Sequence, residues 1–106
     1  MSIAYAWVIT EDHLEGEDSF DVGITGPSNA PNGLIVDVER GAGHVFELYD
    51  DDGELYYTGR IFTPNEDDYG YEEVCFAPLD DFGGPWAGAT EVRYPGRPQF
   101  APTGRV

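Results

Sequence analysis

Apolar positions along this chain come in short runs of strand-like spacing, with Gly, Pro or acidic stretches between most of them. Ala4 to Thr10 (AYAWVIT) is rich in aromatic and β-branched residues and reads as a first strand. An acidic loop, EDHLEGEDSFD, follows, then a short apolar piece from Val22 to Ile24. Residues 25–33 (TGPSNAPNG) are a loop by composition. Leu34 to Arg40 (LIVDVER) has two readings. Val36, Asp37, Val38 and Glu39 alternate as a strand would, whereas Asn32 is placed to cap a short helix.

The clearest pattern runs from His44 to Phe62. Val45–Tyr49 and Leu55–Phe62 are strand-like runs, and Asp50, Asp51, Asp52 and Gly53 supply a hairpin turn, with Gly53 suited to positive φ in a type I turn with a bulge. Strand periodicity puts Phe46 and Leu48 on one face and Val45, Glu47 and Tyr49 on the other. Residues 63–73 (TPNEDDYGYEE) read as a polar acidic loop, and Phe76–Gly84 as a tight turn or a single helical turn. Thr90–Tyr94 is the last expected strand, and Pro95–Pro98 turns the chain toward Gln99 and Phe100. No internal repeat is present. The expected architecture is mainly β, or α+β with little α: one small antiparallel sheet of four to six strands with one or two short helices.

Composition sharpens this picture. Fourteen glycines and eight prolines disfavour long helices. At 106 residues the chain is expected to be a single domain, residues 1–106, able to bury roughly two-thirds of its unfolded surface without a disulfide. The one cysteine, Cys75, lies in the apolar run Val74–Phe76 and reads as a buried structural thiol. The N-terminus lacks the basic and apolar regions of a signal peptide, and no run approaches the ~18 apolar residues of a membrane helix. A cytoplasmic location is expected.

Charge changes the picture most. The chain has 21 acidic residues, five basic ones that are all arginine, and a formal charge of −16. A small domain is kept soluble by a net charge of about 2–8. Residues 1–91 hold every carboxylate and only Arg40 and Arg60, whereas residues 92–106 hold Arg93, Arg97 and Arg105 and no acid. The acids are spread among apolar residues, and the chain is 41% hydrophobic and 14% aromatic, so the charge is expected on a folded surface and not in a disordered tail. Such a surface repels nucleic acid and anionic lipid, which excludes both as direct partners. Acid-rich, lysine-free composition also suits molar salt, and lysine is scarce wherever coding is GC-rich.

Candidate chemistry is thin. The DDDGE stretch resembles a calcium loop, but the pattern would put Leu48 and Gly59 where essential ligands belong, so a hairpin turn is the better reading. His13, His44 and Cys75 lack zinc-site spacing. Ser2, Ser19 and Ser28 sit in no nucleophile-elbow pattern, and no Gly-rich phosphate loop is present. No catalytic residue, metal site or cofactor is expected, and the chain reads as a non-enzyme.

Three stretches, YAWVITEDHL (5–14), FELYDDDGELYYTGR (46–60) and FAPLDDFGGPWAGATEVRY (76–94), resemble small acidic proteins encoded by actinobacteria and their bacteriophages. The resemblance carries no activity or catalytic residues. It implies a GC-rich source, and small acidic phage proteins often act as decoys of nucleic-acid-binding proteins, anti-restriction and anti-CRISPR inhibitors among them.

The leading expectation is therefore a DNA mimic. Carboxylates two residues apart on a strand lie about 6.6 Å from each other, against one phosphate per ~3.4 Å along each DNA strand. Such a body would occlude the basic groove of a nuclease, defence effector or transcription factor. The expected contact residues are Glu47, Asp50, Asp51, Asp52, Glu54, Glu66, Asp67, Asp68, Glu72, Glu73, Asp80 and Asp81. Tyr49, Tyr56, Tyr57, Tyr69 and Tyr71 are either interface anchors or half-buried sheet residues. One alternative is a structural or accessory protein of a phage or mobile element whose acidity serves only solubility. A divalent-cation binder is the third.

Overall fold

The structure, a computed structural model, describes residues 4–13, 22–82 and 88–95. Its centre is a five-stranded antiparallel sheet. The strands are β1 (Ala6–Asp12), β2 (Thr25–Gly26), β3 (His44–Tyr49), β4 (Leu55–Phe62) and β5 (Glu91–Arg93), in the spatial order β2-β1-β4-β3-β5. Three short helical elements accompany them: α1 (Asn32–Glu39), a 3₁₀ helix (Glu66–Gly70) and α2 (Glu72–Cys75), and residues 77–82 continue in helical turns. The expected small antiparallel sheet with little helix is what the chain forms.

The hairpin has the expected strands and turn. Val45 pairs with Arg60 and Glu47 with Thr58, and the register slips at the turn, where Leu48 faces Tyr57 but Tyr49 faces Leu55. Tyr56 is thus the bulged residue. Gly53 sits at φ +81°, where a side chain would be strained. Asp50 fixes the turn from inside: its Oδ1 accepts the amides of Asp52 (2.9 Å) and Glu54 (2.8 Å). Such side-chain-to-backbone bonds are the reason Asp favours turns.

The sheet is apolar on both faces at its centre. On one face Trp7, Ile9, Phe46, Leu48, Tyr57 and Ile61 meet the helical segment that carries Tyr69, Val74, Cys75, Phe76, Leu79 and Phe82. The Phe82 ring stands edge-on to Tyr57 at 5.0 Å and tilted against Trp7 at 5.6 Å. On the other face Ala6 and Val8 meet Val38, with Leu34, Ile35 and Phe62 at the margin. Ala6 to Ile9 is therefore buried on every side chain, the signature of a central strand.

Several expectations change here. β1 starts two residues later than the apolar run and extends through Asp12, past a bulge between Ile9 and Glu11. The loop assigned to residues 25–33 contains β2, whose two residues give too little pattern to read. Residues 34–39 are helical, and Arg40 is the C-cap. Leu34, Ile35 and Val38 face the sheet while Val36 is 42% exposed, so helical spacing and not alternation governs burial. Pro31 occupies the N-cap position, so Asn32 is the first helical residue and not the cap. The stretch 63–73 is no plain polar loop: it forms helical turns, capped by the Asn65 side chain accepting from the Asp67 amide, and delivers Tyr69 into the core at 2% exposure. The acidic loop after β1 and the Gln99–Phe100 turn fall largely or wholly outside the described residues.

Tyr69 shows how this segment is tied down. Its hydroxyl accepts the Thr63 amide at 3.1 Å, and its ring meets His44 edge-on at 4.6 Å. Tyr69→Phe keeps the ring but leaves the buried Thr63 amide without that acceptor, at a cost of about 1–3 kcal/mol. Urea unfolding should show that loss with an unchanged slope; a midpoint equal to wild type would mean the hydroxyl holds nothing.

Candidate functional site

Strand polarity divides the expected contact residues. β4 starts at the hairpin turn and spans eight residues, about 23 Å at 3.3 Å per step. Asp50, Asp51, Asp52 and Glu54 cluster at one end of it, and the segment from Glu66 to Glu73 follows the other end. Within the second group Glu66 and Glu72 open the 3₁₀ helix and α2, Asp67 is exposed and Asp68 half-buried. Glu47 stands apart on β3, half-buried, accepting from the Tyr49 hydroxyl at 2.9 Å. No single patch gathers all twelve.

The hairpin tip is the densest group. The carboxylates of Asp50, Asp51 and Asp52 lie within 4.8 Å of one another. Asp50 itself is only 8% exposed and its Oδ1 already serves two amides, so it builds the turn and is a poor contact residue. Turn formation accounts for the cluster. Asp51, Asp52 and Glu54 are the ones displayed to solvent.

A second group was not legible as a group. Glu73, Asp80 and Asp81, all exposed, lie within electrostatic reach of the Tyr5 hydroxyl. Asp81 Oδ2 accepts from that hydroxyl at 3.0 Å and from the Trp7 indole N–H at 3.1 Å. Tyr5 immediately precedes β1 and Trp7 is its second residue, and the two side chains reach one acceptor. Two clefts nearby share Pro27 as a lining residue. The first, about 300 Å³, is lined by Ala4, Tyr5, Asn29, Pro31 and Glu73 as well as Pro27. The second, about 380 Å³, is lined by Trp7, Ile24, Ser28 and Asp81 as well as Pro27. Both reach the size of small-ligand sites. Gly26 makes the second wall possible, because a Cβ there would collide with the Trp7 ring.

The open half of the second sheet face carries a further row. Glu11, Thr58, Glu47 and Arg93 stand side by side on β1, β4, β3 and β5. Glu11 and Glu47 are two strands apart, about 9.6 Å at the usual strand spacing. Arg93 pairs with Glu91 and lies over the Tyr49 ring at 4.3 Å, while Arg60 donates to the carbonyls of Ala42 and Gly43. Neither relieves the hairpin tip or the Tyr5 group.

The tyrosines split accordingly. Tyr57 and Tyr69 are core residues, Tyr49 and Tyr56 are half-buried, and Tyr71 is 59% exposed. Cys75 is buried and in no disulfide, as expected, and its carbonyl accepts from the Tyr94 hydroxyl at 2.6 Å. His13 Nε2 lies 2.9 Å from Thr58 Oγ1 and 3.7 Å from Glu11, on the sheet face opposite the core ring contact of His44. Among the described residues no helix is long and apolar enough to cross a membrane.

Comparison of the chain with protein-family models, with curated proteins and with solved structures gave no match. The likeness to small acidic actinobacterial and phage proteins rests on its three sequence stretches alone.

Burial pushes up the pKa of two phenols, Tyr5, with the charges of Asp81, Glu73 and Asp80 adding to it, and Tyr94 deep in the core. Both keep their protons in the folded chain to higher pH than in the unfolded chain. Their stabilisation is therefore complete below the unfolded value near 10 and is lost as pH rises beyond it. Urea midpoints should fall between pH 9 and pH 11, and Tyr5→Phe should lessen the fall. A midpoint that stays level across that range would contradict the placement of both hydroxyls.

Proposed function

We infer that this protein is a non-catalytic inhibitor that mimics the charge of nucleic acid and covers the basic groove of a nucleic-acid-binding protein. The observation that carries this reading is where the acids stand. Among the described residues they lie on strands, tight turns and short helices around a rigid core, while Arg60 is spent on main-chain carbonyls and Arg93 on Glu91. A flexible acidic tail would lose much of its attraction to ordering entropy; a folded body does not. Its longest dimension, 33 Å, is close to one turn of duplex, about 34–36 Å. A groove built for phosphates would release counterions to it much as to DNA, and long-range attraction would speed the encounter. The action is occlusion, with no bond made or broken. The partner is a nuclease, a defence effector or a transcription factor in the cytoplasm, and a phage or other mobile element of an actinobacterium is the source that the sequence likeness favours.

Asp51, Asp52 and Glu54 are the contact residues to test at the hairpin tip, since Asp50 is needed by the turn. Capture from host lysate at low salt should retain a nucleic-acid-binding protein that excess duplex DNA displaces. Reversing Asp51, Asp52 and Glu54 to Lys should weaken that complex at least tenfold, with thermal unfolding of the free protein not lowered. Retention of nothing but assorted basic proteins, all lost together at moderate salt, would overturn mimicry and leave acidity as a solubility trait of an accessory protein.

A further inference from the structure

We draw no further inference here: the strongest candidate, the cleft of about 380 Å³ beside β2 that Trp7, Ile24, Gly26 and Pro27 line, carries nothing because nothing in the structure shows what fills it.

Discussion

A body with a formal charge of −16 must be held together by something that outweighs its own repulsion. That something is the double-sided apolar centre of the sheet, where β1, β4 and β3 lie side by side. Ile9, Phe46, Leu48, Ile61, Val74 and Val92 are each no more than 1% exposed. Burying a side chain of this kind contributes about 1.5–3 kcal/mol. Two surface charges 4 Å apart in water repel by only about 1 kcal/mol, and less once salt screens them. The described acids are spread over both ends and one open face of the sheet, so most pairs are farther apart than that. The core wins, and repulsion survives as a tension that salt can relieve.

Within that constraint the acids divide into builders and displayed charges. Asp50 closes the hairpin through two amides, and Asp81 orders Trp7 and Tyr5 at the sheet's end. Glu47 receives the Tyr49 hydroxyl. Asp51, Asp52 and Glu54 stand in solvent on a turn whose shape they do not determine through their carboxylates. The distinction matters for any surface meant to imitate phosphates: charge is useful to a partner only where the backbone beneath it is fixed, and the builders do the fixing.

The hairpin was legible because three signals agreed in one short stretch: the alternation of Phe46 and Leu48, the β-rich run after Gly53, and a turn made of Asp and Gly. Elsewhere the signals conflicted or were too brief. Eight polar or glycine neighbours concealed Tyr69, whose burial depends on a hydroxyl finding the Thr63 amide, a tertiary event with no local trace. Residues 34–40 fitted two periods, and the choice fell to whichever face β1 offered to Leu34, Ile35 and Val38. The Tyr5 group unites residues 74 and 76 positions apart, so charge clusters along the chain could not reveal it. The spacing of Tyr5 and Trp7, just before and within β1, was the single clue, and it does not identify a shared acceptor.

The central claim is that this fold holds an acidic surface whose charges repel one another. Thermal unfolding in 0.02 M and 0.5 M NaCl tests it most directly, because added salt shortens the screening length from tens of ångströms toward about 3 Å at 1 M. The unfolding temperature should rise by several degrees, on the order of 1 kcal/mol, and rise less in a variant carrying Asp51→Asn, Asp52→Asn and Glu54→Gln. An unfolding temperature that stays level, or an equal rise in the neutralised variant, would mean the charges are compensated on the surface and would contradict the account.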